Sequence, residues 1–506
     1  MLHWPLYITF LGLLLLLLLP SRAGAGAARI VALAVSLAGL LVGLMAALRF
    51  DPHAGMVTLV NAQWIQWPAF RFHLAADGIT VVMVLLTGIA AVAGVLFSWN
   101  IEHRTREYFA FYLTLIGAVY GVFLSVDLFL LFVFYELAIV PKYFLIALWG
   151  STRKTYGAMK LALYSFVGSA MVLIALLATY VMSGITAPST NASAGAIASF
   201  NLLDLARHSF PHDFQLWAFP LMFVGFAILG GLWPFHSWAP TGHVAAPTAA
   251  SMLLAGVIMK LGAYGALRVA MTLFPAGLIH WQMPLAWLAV IGIVYGALAA
   301  LVQNDFKFVI GYSSVSHMGF VMLGLMTLTT VGLHGAILQM FSHGIIAGLL
   351  FGVVGRMVYD RAHTRELDAL EGLKLARALP FAAFTFVVAG AASMGLPGFS
   401  GFVAELQVII GAWKAFPAMT LVVGAGIIIG VAYTWRALHK AFFSDHNSSP
   451  PHHDALPPIT WPEKAGAILL MLCTLAVGLY PRILLDWIIP ALDSPLFAGL
   501  QKVIGP

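Results

Sequence analysis

Glu136 closes an apolar run, Leu128-Phe129-Leu130-Leu131-Phe132-Val133-Phe134-Tyr135, and Lys142 follows it directly after Pro141. Lys260 interrupts a second apolar stretch, before Leu261-Gly262-Ala263-Tyr264, and Glu405 ends Gly401-Phe402-Val403-Ala404. His236, His243, His317 and His343 stand between them, each at mid-run or beside Gly and Pro. A charge at bilayer depth costs about 2.5–3.5 kcal/mol even on the gentler insertion scales, so each needs a reason. Taken singly, each has a plain one: a buried Glu–Lys pair can hold helices together, and a lone histidine can be a packing residue. Two acids, two lysines and four histidines together share one chemistry, the exchange of protons along a path joined by water. A Glu–Lys contact near 4 Å contributes about 4 kcal/mol at an effective dielectric of 20. Moving a charge across roughly 200 mV costs about 4.6 kcal/mol, so making or breaking one pair is of the right size to load and release a proton. Lys414 and Arg268 lie near the ends of apolar runs and read as snorkelling side chains.

The elements that carry these residues are membrane spans. Of 506 residues, 61% are hydrophobic and 9% charged, against about 25% charged in a soluble domain. Apolar runs long enough to cross a bilayer recur near 5–20, 29–49, 78–99, 108–126, 128–149, 157–182, 214–235, 244–273, 283–302, 306–327, 330–356, 378–410, 415–436 and 464–488. This predicts an all-α polytopic protein of about fourteen spans. The net charge of +6 belongs to positively charged loops on one side of a membrane, not to a nucleic-acid surface. Cys473, the single cysteine, permits no disulfide, iron–sulfur cluster or thiolate metal site.

The run Leu13 to Leu19 before Ala23-Gly24-Ala25 looks like a signal peptide, but only His3 precedes it, while Arg22 and Arg29 follow. That order suits an uncleaved first span with its N-terminus outside. About 16 of the 25 Lys and Arg, including Arg104, Arg106, Arg153, Lys154, Lys307, Arg356, Arg361 and Arg365, then fall on the cytoplasmic side, with both termini outside. The polar stretch 437–463 holds Asp445, His446, His452, His453 and Asp454; without a fixed ligand spacing it reads as a solvated, Pro-rich loop. Two spans look interrupted, at Gly230-Gly231-Leu232-Trp233-Pro234 and Met394-Gly395-Leu396-Pro397-Gly398-Phe399. Paired broken helices point to an ion path between repeats. The chain divides on this reading into three N-terminal spans (1–107), a five-helix repeat (108–274), a second, inverted repeat (283–440), and a polar loop with the last span (441–506).

Several strings resemble the antiporter-like membrane subunits of respiratory complex I, the proton-translocating NADH:quinone oxidoreductase. They are Tyr135-Glu136-Leu137-Ala138-Ile139-Val140-Pro141, Pro234-Phe235-His236-Ser237-Trp238, His243-Val244-Ala245-Ala246-Pro247-Thr248, Lys260-Leu261-Gly262-Ala263-Tyr264-Gly265, Gln303-Asn304-Asp305-Phe306-Lys307, Tyr312-Ser313-Ser314-Val315-Ser316-His317-Met318-Gly319 and Ser342-His343-Gly344. The resemblance covers roughly residues 80–440, and fourteen spans without a long C-terminal extension favour the chain M (chain 4) type. It implies two inverted five-helix repeats in a membrane arm with neighbouring antiporter-like subunits. It implies no cofactor in this subunit, with NADH, FMN, iron–sulfur clusters and ubiquinone or menaquinone handled elsewhere. By motif, Glu136 matches the fifth-span acid, Lys260 the central lysine of the eighth span and Glu405 the acid of the broken twelfth, while His236, His317 and His343 match histidines of the hydrated axis.

The sequence departs from the family at one point. The lysine usual seven residues before the Pro-Phe-His histidine is Leu229, whereas Lys142 stands where an apolar residue is common. Lys142 is expected to replace the missing lysine. Six residues of ideal helix give about 9 Å of rise and 240° of rotation, so contact with Glu136 would need a kink at Pro141. The plain alternative is a Lys142 that snorkels to the cytoplasmic edge. Rival functions are a subunit of a Mrp-type cation/proton antiporter, a related membrane-bound hydrogenase subunit, and a structural scaffold that does not pump.

Overall fold

The computed structural model describes residues 1–20, 24–66, 70–185, 198–444 and 456–504. Arg22, Ala23 and the loop residues Asp445, His446, His452, His453 and Asp454 lie outside the described residues. Twelve helices among those described are long and apolar enough to cross a membrane. The shorter helix Trp4–Leu18 and the consecutive helices Pro380–Ser393 and Ser400–Ala415 lie where the sequence reading set its first and twelfth spans. The 15-residue first helix is about 22 Å long, less than the roughly 30 Å hydrocarbon core.

Position in the bundle follows which faces are apolar. The eighth span (Thr248–Met271) and the eleventh (Thr330–Ala362) are buried throughout their apolar middles, and the third (Gly78–Phe97) nearly so. The second span (Gly24–Leu48), the sixth (Lys154–Ile185) and the thirteenth (Pro417–Phe443) keep large apolar side chains exposed, among them Leu41, Phe166 and Ile428. Those are surfaces for lipid or for neighbouring subunits. Glycines let the central helices close on one another, as small residues do between membrane helices. A Cβ on Gly262 would meet Gly230 N and Phe226 O of the seventh span at 2.4 Å, and one on Gly344 would lie 2.6 Å from Gly256 O.

Both predicted breaks are present. The seventh span (His212–Gly230) ends at Gly231, with φ +79, whose N–H bonds Ile228 O, while Leu232 N bonds Ala227 O. Pro380–Ser393 ends in the same way: Gly395 has φ +70, and Leu396 N bonds Ala391 O. Each is a six-to-one C-cap that needs the left-handed conformation glycine adopts without strain. Trp238 Nε1 supplies a further donor, at 2.8 Å, to the freed Ile228 carbonyl, as irregular backbone inside a membrane requires.

Two corrections concern elements. The last span stops at Leu479 rather than near residue 488; Tyr480 and Pro481 turn the chain into a separate helix, Arg482–Leu492, that buries only Leu484, Ile488, Ala491 and Leu492. Between the second and third spans lies a β-hairpin to which the sequence reading assigned nothing. Val57–Ile65 pairs antiparallel with Phe70–Ala76, and His73 O accepts from Val126 N at 3.1 Å, so the hairpin sits on the face that also carries the start of the fifth span. We refer to this as the N-terminal face.

Candidate functional site

Lys260 is fully buried in the eighth span, between two wide π-type turns, Leu254–Ile258 and Ala266–Met271. Such turns leave carbonyls without their usual i+4 donors. Its Nζ donates to one of these, Ala255 O, and lies 2.7 Å from His343 Nδ1 of the eleventh span. The close backbone approach at Gly256 and Gly344 brings these two residues together. The His343 ring stands 5.5 Å from that of His317, centroid to centroid. His317 Nδ1 is 2.8 Å from Glu405 Oε1, and its Nε2 is 3.1 Å from Ser393 Oγ. Glu405 Oε1 also accepts from Gln339 Nε2 at 3.1 Å. The second break shapes this end of the row: a Cβ on Gly395 would lie 3.3 Å from Glu405 Oε2.

Lys260, His343, His317 and Glu405 thus form two hydrogen-bonded pairs of proton-exchanging groups set end to end in one row. An ammonium on Lys260 donates to the His343 imidazole; shifting that proton across leaves a neutral amine and an imidazolium. In the tautomer with its proton on Nδ1, His317 donates to the Glu405 carboxylate and its Nε2 accepts from the Ser393 hydroxyl. The imidazole-to-imidazole step has no direct hydrogen bond, and His343 Nε2 is buried without a protein partner. A group of that kind is ordinarily completed by water.

The first half of the bundle is arranged differently. Lys142 is 1% exposed, which rules out snorkelling to the cytoplasmic edge. Its Nζ donates to Ser165 Oγ of the sixth span at 3.0 Å. No ion pair within 4 Å joins it to Glu136, whose Oε1 is buried without a partner. The fifth-span helix is interrupted at Ala138, between Leu128–Leu137 and Ile139–Trp149, so the two side chains share a region but not a contact. Leu229, where the family carries a lysine, is 2% exposed and part of the apolar core. His236 has both ring nitrogens buried and unpartnered, with Tyr295 5.0 Å away, centroid to centroid. His243 has the same lack and stacks on Phe351 at 4.7 Å.

Arg268 does not snorkel. It is 1% exposed, and its guanidinium grips Asp77 at 2.5 and 2.6 Å. Lys414 is exposed, as its position suggested. Lys307 is buried rather than a loop cation: its Nζ donates to Ala246 O at 3.1 Å and lines a cavity of about 200 Å³ with Ser98, Tyr108, Thr248, Arg356 and Asp360. Sequence reasoning did not single out Gln339, Ser393 and Ser165. They are small polar residues in apolar runs, indistinguishable there from ordinary helix–helix hydrogen bonders.

A many-span bundle threaded by buried ionisable side chains is an ion-handling membrane protein. Residues 125–430 match the model of the NADH:quinone oxidoreductase/Mrp antiporter transmembrane family, and the chain belongs to that family. It is 35% identical over 478 residues to NADH-quinone oxidoreductase subunit M of Rhodobacter capsulatus, covering 92% of this chain and 89% of that protein. Its fold matches a chain of respiratory complex I from Thermus thermophilus, with TM-score 0.86, 27% identity and full coverage of both chains. A chain of the Mrp complex from a Dietzia species matches with TM-score 0.81 at 21% identity, over 99% of this chain and 100% of that one, a likeness of fold alone.

Proposed function

We propose that this chain is the subunit M-type component of an NADH:quinone oxidoreductase membrane arm and that it moves protons along the buried row. The observation that carries the mechanism is the linkage Lys260–His343–His317–Glu405. Lys260 holds a proton, the two imidazoles pass it on, and Glu405, at the far end of the row, receives it and faces the adjoining machinery. Glu136 and Lys142 form the opposite end, with His236 and His243 on the connecting water path. Lys142 supplies the cation that Leu229 cannot, from a different helix. NADH, FMN, iron–sulfur clusters and quinone belong to other subunits, whose redox chemistry drives this one. The arginines and lysines grouped on the face away from the N-terminus support a reading with that face in the cytoplasm and both termini outside an inner membrane. The subunit M relatives favour this reading over a Mrp-type antiporter or a hydrogenase subunit, and the buried row from Lys260 to Glu405 favours it over an inert scaffold.

The test is Lys260→Met in the assembled complex, with NADH oxidation and proton uptake measured in the same vesicles. The expected result is a fall of about tenfold or more in both, the scale on which losing a positioned proton carrier acts. Pumping at the wild-type ratio of protons to electrons would show that this subunit does not carry them.

A further inference from the structure

The two ends of the eighth span differ. Toward the cytoplasmic face, the start of the span at Thr248 borders the cavity that holds Lys307 and Asp360. Toward the N-terminal face, every residue from Leu261 to Met271 is buried, and Arg268 closes the way. Lys260, Tyr264 and Arg268 recur every four residues, so they lie along one face of the helix, with about 12 Å of rise between the two cations. Every polar group on that face beyond Lys260 is occupied. Asp77 Oδ1 accepts from Thr80 N at 2.9 Å, Thr80 Oγ1 at 3.1 Å and Arg268 Nη2 at 2.6 Å, and Oδ2 accepts from Arg268 Nη1 at 2.5 Å. Arg268 Nε donates to the Tyr264 hydroxyl at 3.3 Å, which itself donates to Phe123 O at 2.8 Å. Phe497, from the C-terminal segment and fully buried, covers the guanidinium with its ring 5.4 Å from Cζ.

We propose that the Asp77–Arg268 pair, under the cover of Phe497, seals the outer end of the eighth span and so obliges a proton held on Lys260 to leave sideways through His343. A carboxylate and guanidinium whose polar atoms all have protein partners, under an aromatic cover, offer water little to bind, and the guanidinium is the member of the pair that lies on the same helix face as Lys260. Asp77 and Arg268 touch none of the reacting atoms; they determine direction. The inference rests on the proton-carrying reading of Lys260.

The experiment uses the purified complex in liposomes without NADH and follows passive proton influx under a potassium-driven potential. Asp77→Asn leaves Arg268 half-paired, and an unpaired buried charge draws in water; influx should rise about tenfold. Adding Lys260→Met to Asp77→Asn should return the leak to the wild-type level, because the opened path ends on Lys260. The double variant Asp77→Leu with Arg268→Met, dry and uncharged, should leak no more than wild type. Should Asp77→Asn fail to assemble, Phe497→Ala removes only the cover and should leak to a smaller extent, again in a Lys260-dependent way. An assembled Asp77→Asn complex as tight as wild type would overturn the seal, as would a leak that persists without Lys260. Failure of the functional reading looks different: Lys260→Met alone would then leave NADH-driven pumping intact.

Discussion

The two halves of the bundle carry similar charges under different control. In the second half, Lys260 is held by a carbonyl released at a π-type turn and by His343, and the row continues to Glu405. In the first half, Lys142 is equally buried but rests on one hydroxyl, and its acid Glu136 stays out of reach. Their framing is nevertheless matched. Asp127 caps the fifth span by accepting from Phe129 N and Leu130 N at 3.0 Å, and Asp305 caps the tenth by accepting from Lys307 N at 2.8 Å and Phe308 N at 3.2 Å. Beside each cap, paired backbone bonds of 2.8 Å tie the span to a short helix that follows the next span: Leu128 N to Phe200 O with Leu202 N to Val126 O, and Phe306 N to Arg365 O with Leu367 N to Asn304 O. Similar scaffolds therefore do not dictate similar proton chemistry. The side chains between the latches decide whether the charges are joined.

The comparison can be broken most forcefully at the acids. Glu405→Gln should cut NADH-driven pumping about tenfold, whereas Glu136→Gln, which removes an acid with no ion-pair partner, should cut it severalfold less. Equal losses would mean that the row runs as tightly through the first half. Next in size is Lys142→Met, with an expected severalfold loss of pumping in an assembled complex; adding Leu229→Lys should recover part of it by returning a cation to the same region. No recovery, with Lys142→Met as active as wild type, would make Lys142 structural. The two latches can then be compared directly. Asp127→Ala and Asp305→Ala should each destabilise by about 1 kcal/mol, the usual loss of an N-cap, read as the thermal midpoint of the detergent-solubilised complex.

The smallest effect separates the latches by pH. His73, in the hairpin that meets the first latch, has its pKa lowered by burial and then by the nearby Arg71 charge. A histidine lowered on folding stabilises the fold above its ordinary range, and the contribution is lost as pH falls through that range toward the folded value. The protection factors of amides in residues 57–66 and 70–76, corrected for the intrinsic pH dependence of exchange, should therefore fall between pH 7.5 and 5.5, and His73→Phe should abolish the change. The second latch, where Arg365 meets Asp305, should show no such dependence.

Most of the bundle was legible because each span is a long apolar run, and both breaks were legible because Gly and Pro punctuate them. The hairpin was not: its Val57–Ile65 strand has no buried residue and carries Asn61 and Gln63, with Arg71 in the partner strand, a pattern too weak beside the spans. The membership of the buried row was legible from residue type alone. Its connectivity was not, because π-type turns and glycine contacts between helices leave no periodic signal. Arg268 was misread for a related reason. It and Asp77 each stand near the end of a span, where a charge normally reaches water, and only the fold shows that these two ends meet under Phe497.

The contact between Gly256 and Gly344 acts as a ruler. Lipid thickness tilts and shifts transmembrane helices, and the second, sixth and thirteenth spans, exposed at the edge of the bundle, meet lipid or neighbouring subunits first. The separation of Lys260 from His343 is instead set by one backbone resting on another, with no side chain between to yield. A proton hop is steep in distance, so in the proposed path a gap fixed this way would keep the step from Lys260 to His343 at constant tempo while the periphery of the bundle adjusts to its surroundings.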